Sequence, residues 1–133
     1  MTEHPAVAFL LAAHERAEQL ARNAGGDEWE RDPHPLCYAV KDSDGDPVVC
    51  DEGAPTGEQA SHIALHDPAA VLRRVAAERE ILAEHPEHGI DGDCARCVEW
   101  QEDDEGDLCA YPLPWPCRMV LGLAKAWGWE EPA

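Results

Sequence analysis

His85-Pro-Glu-His88-Gly-Ile-Asp-Gly-Asp-Cys94-Ala-Arg-Cys97 is the stretch that decides the fold. Cysteines spaced as Cys94-x-x-Cys97 form a knuckle, which lets two thiolates meet one ion while backbone N–H groups approach the sulfurs. A third cysteine, Cys117, opens an apolar run containing Met119, Val120, Leu121, Leu123, Ala124 and Trp127, the pattern of a helix. A thiol at a helix N-terminus ionises more easily, and a metal needs the thiolate. Three thiolates require a fourth donor to close a tetrahedral zinc site. His85 is the first candidate, Cys109 the second and His88 the third.

Between knuckle and helix, Val98 to Trp100 and Leu108 to Tyr111 read as two strands of a hairpin. Gln101 to Asp107 forms its acidic tip, and Pro112, Pro114 and Pro116 return the chain stiffly. Knuckle, hairpin, then a ligand at a helix start is the order of treble-clef-like zinc modules, an analogy of arrangement. One structural Zn2+ is therefore expected, with Cys94, Cys97, Cys117 and a fourth residue as ligands.

Upstream, Asp67-Pro68 is a helix start: the aspartate caps free N–H groups and proline occupies a position with no bond to lose. The helix should run to about His85, where Pro86 ends it. Val71, Val75 and Leu82 form its apolar stripe, with Leu72 and Ile81 at the edges. His85 projects within the same arc, so this helix delivers an imidazole to the interior.

Pro5 to Ala24 reads as the first helix, started by Pro5 and stopped by Gly25-Gly26. Ala6, Leu10, Ala13, Ala17, Ala21 and Ala24 share one face, flanked by Val7 and Leu20. His14 lies near that face and is expected to pack in the core. Asp27 to Pro35 is a linker anchored by Trp29. Leu36 to Val40 and Pro47 to Asp51 read as strands around the turn signal Asp42-Ser-Asp-Gly45. That register sets Cys37 opposite Cys50, expected as packed thiols. Glu52 to Gln59 reads as a Gly/Pro loop. No internal repeat is evident.

The expectation is thus an α+β fold: one small domain over 1–133 with about three helices and two short β-hairpins. Residues 1–60 supply the N-terminal helix and hairpin; 61–133 supply a helix, the knuckle, a hairpin and the C-terminal helix.

Ten basic residues against 28 acidic ones give a formal net charge of −18. Nucleic-acid binding relies on lysine and arginine neutralising phosphates, so it is not expected. A soluble chain, or one with a basic protein partner, is. The first apolar run, Ala6 to Ala13, is too short to span a membrane, and Met1-Thr-Glu-His4 has no basic leader region. A cytoplasmic location follows, where six cysteines are thiols or metal ligands rather than disulfides.

Three catalytic or metal-loop readings compete. His85-Pro-Glu87 before Cys94-x-x-Cys97 imitates the zinc deaminase signature, but six residues from Glu87 to Cys94 are too few for that fold, and Asp93 stands where it has proline. His62 and His66, four apart and followed by Asp67, suit a metal-dependent hydrolase if both are helical. No glutamate lies between them as the hydrolytic motif requires, and Asp67 is already explained as a cap. Asp42, Asp44 and Asp46 open like a calcium loop, but Pro47 takes the sixth place and Gly53 the twelfth.

The segment His62-Ile-Ala-Leu-His66-Asp67-Pro68, continuing to Ile81-Leu-Ala-Glu-His85, resembles small proteins of actinobacteria and their phages catalogued as domain of unknown function 6221. Val7-Ala-Phe-Leu10, Cys94-x-x-Cys97 and Tyr111-Pro…Pro116-Cys117 are similar as well. The resemblance implies His85, Cys94, Cys97 and Cys117 as the ligand set and leaves Cys109 outside it. No activity comes with it.

The functional expectation is a small acidic zinc protein that binds another protein and is not an enzyme, with exposed tryptophans among Trp100, Trp115, Trp127 and Trp129 as the recognition patch. The alternatives are a hydrolase using His62, His66 and Asp67, and an acidic decoy that blocks a DNA-binding enzyme, in a host cytoplasm if the protein is phage-encoded.

Overall fold

The computed structural model describes residues 3–34, 38–49 and 55–133. Among them the fold is α+β, with four helices and two small three-stranded antiparallel sheets. Helix α1 (Pro5–Asn23) starts at its proline and ends just before Gly25 and Gly26. Both glycines take positive φ, 110° and 68°, which a side-chain-bearing residue rarely adopts. Their N–H groups bond back to Arg22 and Ala21, closing the helix end.

The first sheet joins β1 (Glu30–Arg31), β2 (Val40–Lys41) and β3 (Pro47–Val49) in that order. Glu30 pairs with Lys41 and Arg31 with Val40, so the expected two-stranded hairpin gains a strand from the linker. Two residues carry no periodic signal; only the partner makes them a strand. Cys37 and Cys50 lie outside the described residues.

Helix α2 (Gly57–Leu65) occupies a stretch whose first residues read as loop. Thr56 accepts a bond from the Gln59 N–H, and the Gln59 side chain accepts one from the Thr56 N–H. That is a capping box, and Thr56-x-x-Gln59 is its sequence signature. The glycine and proline around it hid the signal. Helix α3 (Pro68–Glu84) begins as expected: Asp67 Oδ1 accepts from the Ala70 N–H at 2.7 Å. Its other oxygen accepts from the Trp29 N–H at 3.0 Å, tying the linker to the cap.

The second sheet orders β4 (Glu87–His88), β5 (Asp93–Glu102) and β6 (Leu108–Pro114), and α4 (Arg118–Ala126) follows. The hairpin strands are longer than their apolar cores suggested, because the ladder extends past the knuckle to pair Asp93 with Pro114.

The two hairpin turns share one construction. Asp42-Ser-Asp-Gly45-Asp46 and Asp103-Asp-Glu-Gly106-Asp107 each have the first aspartate's Oδ1 accepting two backbone N–H groups, two and four residues on. In each, the glycine takes positive φ, 83° and 85°, and bonds back to that aspartate's carbonyl. These bonds hold the Asp103 carboxyl below the usual carboxylate range, the Asp107 N–H contributing most.

Two compact units make up the chain: Met1–His14 with Ala77–Ala133, and Glu15–Ala76. The division falls within α1 and within α3. In the second unit α2 packs against β1 and β2, and Ala21, Ala39, Val40, Ala60 and Val75 are buried. In the first, Ala6, Val7 and Leu10 of α1 meet Val120 and Ala124 of α4, with Leu82 of α3 against both clusters. Trp115, Trp127 and Trp129 pack around this core. His14 is fully buried there, its Nε2 at 2.8 Å from Glu78 Oε2. The Trp127 indole donates to the same carboxylate at 2.5 Å. No described helix is long and apolar enough to cross a membrane.

Candidate metal centre

Four structural devices bring one nitrogen and three sulfurs together. Helix α3 ends at Glu84, and Pro86 keeps His85 out of any further turn. The His85 carbonyl accepts the Trp115 indole N–H at 2.9 Å, which fixes the backbone that carries the imidazole. The knuckle is a bulge in the β5–β6 ladder: pairing runs from Asp93–Pro114 directly to Val98–Pro112, so Cys94 to Cys97 loop out of register. Cys117 is the N-cap of α4, and its side chain makes no capping bond. A serine or aspartate there would turn its oxygen to the helix. The sulfur instead stays free to face the other three donors.

His85 Nδ1 lies 3.5 Å from Cys94 Sγ, 3.4 Å from Cys97 Sγ and 3.6 Å from Cys117 Sγ. All four donor atoms lie within 4.8 Å of one another. With Zn–S about 2.3 Å and Zn–N about 2.0 Å, a regular tetrahedron has an N···S edge of about 3.5 Å. The three N···S edges bracket that value, and the cluster could hold a metal ion. Cys94 and Cys117 are 3% and 2% exposed and pack against Val7 and Val120, so the site belongs to the core of its unit.

The sulfurs also compete for charge. Burial pushes the Cys94 thiol up, but N–H groups of Arg96 and Cys97, with His85 and Cys117, outweigh it and bring it to about 7. Cys97 goes the other way: burial, then the Cys117 and Cys94 sulfurs, push it up to about 12. Three anions cannot share so small a space unaided. A dication held by His85, Cys94, Cys97 and Cys117 would remove the penalty that keeps Cys97 protonated.

Of the three candidates for fourth donor, the structure brings only His85 to the three cysteines. His88 sits exposed on β4. Cys109 turns to the hairpin tip, where its thiol donates to Asp103 Oδ2 at 3.6 Å.

The profile of a family described as Family of unknown function (DUF6221) matches residues 3–128. The chain belongs to DUF6221. No curated protein and no solved structure matches it.

In this DUF6221 member the histidines of the alternative site are also neighbours. His62 is on α2 and His66 is its C-cap, with ring centroids 4.6 Å apart. Asp67 is not grouped with them as a third donor, and both its oxygens accept backbone N–H groups. The Cys3His group is the one potential metal cluster among the described residues. His62 borders a cleft of about 620 Å³ with Val49, Pro55, Glu58, Gln59 and Ile63. Glu78, the buried acceptor for His14 and Trp127, was not singled out from sequence. It reads as one more charge in Ala-Ala-Glu-Arg-Glu, and only its place on the stripe, three after Val75 and four before Leu82, marks it.

Proposed function

We propose that His85, Cys94, Cys97 and Cys117 hold one structural Zn2+, and that this protein is a zinc-stapled module whose work is to bind another protein. The match of the nitrogen–sulfur distances to the edges of a zinc tetrahedron carries the reading. Cysteine and histidine donors select a borderline-soft ion over magnesium or calcium. Four protein donors leave no coordination position for a reacting water, which supports a structural rather than a hydrolytic ion. Thiolate ligands suit a reducing compartment, and so the cytoplasm. The acidic balance, 28 against 10, favours a basic partner over nucleic acid.

The test is metal content by native mass spectrometry, followed by thermal melts with and without a chelator. One zinc per chain, with a large loss of melting temperature on chelation, is expected. Folded protein free of metal, and indifferent to chelator, would overturn the proposal.

A further inference from the structure

We infer that the face of the β5–β6 hairpin bearing Val98, Trp100 and Leu108 docks a basic protein segment with an apolar anchor, an inference that rests on the binding-module reading above. The ladder pairs Val98 with Pro112, Trp100 with Ala110 and Glu102 with Leu108. Directly opposed residues of an antiparallel pair share a face, and alternate residues of a strand return to it. These six side chains therefore line one side of the hairpin, and five of them are apolar. All are exposed. Trp100 and Leu108 are open at 64% and 66%, whereas Trp115, Trp127 and Trp129 pack against the core. Diagonal neighbours on a sheet face are about 7–8 Å apart, so the indole and the leucine form one patch. Tryptophan is the residue most enriched at energetic centres of interfaces.

The platform is fixed at its base. The knuckle at Cys94 to Cys97 anchors β5, and the Trp115 N–H bonds to the Gly92 carbonyl at 2.8 Å. A patch held in place loses little freedom on binding.

Charge selects the occupant. Glu102 lies on the face itself, and Asp103, Asp104, Glu105 and Asp107 crowd the tip beside Leu108. Arg96 is the lone basic residue from Asp93 to Pro114. Nucleic acid and anionic lipid are repelled by such a rim, and so is a second copy of a chain of net charge −18. Arginine or lysine flanking an aliphatic residue matches both features, since a guanidinium can pair with the carboxylates and stack on the indole.

The probe is a short fluorescein-labelled peptide alternating arginine and valine, titrated by anisotropy into the zinc-loaded full chain. Two controls replace its arginines with glutamate or its valines with serine. Binding is expected for the first peptide alone, weakened several-fold between about 0.05 and 0.5 M salt. Trp100→Ser should weaken it about tenfold and Leu108→Ser less, whereas Met119→Ser, an exposed apolar residue of α4, should leave it unchanged. Zinc content and melting temperature of each variant confirm that it folds. Equal binding by Trp100→Ser, equal binding of either control peptide, absence of binding, or Trp100-dependent self-association in sedimentation would overturn the inference. Protein with one zinc and no peptide binding sinks the docking face alone. Metal-free, folded protein that binds the peptide through Trp100 sinks the zinc proposal alone.

Discussion

Replacing Cys117 with serine sets two physical effects against each other. The residue is the N-cap of α4, 2% exposed, and its sulfur makes no bond to the helix. Serine is a good N-cap and cysteine is not among the preferred ones, so on helix grounds alone the change stabilises by about 1 kcal/mol. On metal grounds the sign reverses. A structural zinc contributes about 10–16 kcal/mol in small metal-folded peptides, so one ligand in four carries about 3 kcal/mol. Serine is nearly isosteric with cysteine, which leaves the surrounding packing of Val7 and Val120 little changed. The net expectation is a loss of about 2 kcal/mol, or roughly 10 °C in melting temperature for a domain of this size. Differential scanning calorimetry of zinc-loaded parent and Cys117→Ser, with zinc measured in each sample, reads it directly. A variant that melts at or above the parent would show that no ion depends on this sulfur, and the reasoning behind the site would fail.

Other outcomes follow from the same geometry. Zinc affinity should fall as pH is lowered from about 8 to about 6, because binding must displace a proton from Cys97, held up at about 12, and below about 7 from Cys94 as well. Competition with a chromogenic chelator at each pH measures this; a flat profile would contradict it. Asp67→Ala removes the α3 cap and strands the Trp29 N–H, and should cost about 2–3 kcal/mol in urea unfolding with zinc content unchanged. Glu78→Ala removes the shared acceptor of His14 and Trp127, and should cost about 2–4 kcal/mol with a shift in tryptophan emission. An unperturbed spectrum would mean that the Trp127 indole N–H does not depend on this carboxylate.

Local chemistry was legible where it is encoded by neighbouring residues. Asp67-Pro68 marked the start of α3, Pro86 its end, and Cys94-x-x-Cys97 the knuckle, because each signal acts within a few positions. The fold class followed from these, and so did the placing of a Cys3His cluster in the C-terminal half. Most of what escaped depends on pairing with another strand rather than on a segment's own residues. Glu30-Arg31 and Glu87-His88 are strands only because Val40-Lys41 and Asp93-Cys94 lie beside them. Helix α2 was legible in principle through Thr56-x-x-Gln59, but a Gly/Pro-rich flank outweighed the capping box. The expected exposed pair of tryptophans is instead one exposed tryptophan with Leu108 and Val98, since alternation along a strand says which residues share a face but not which face is covered.

The unit that houses the cluster is assembled from the first fourteen residues and the last fifty-seven, with Glu15–Ala76 belonging to the other. Its four donors, His85 to Cys117, are close in sequence, whereas Leu10 and Ala124 meet across almost the whole chain. During synthesis the opening turns of α1 emerge long before the surface that receives them. Closing the short chelate loop costs little chain entropy, while joining the chain's two ends costs more. An ion held by those four donors would give the C-terminal segment a shape of its own, onto which the opening turns of α1 can seat.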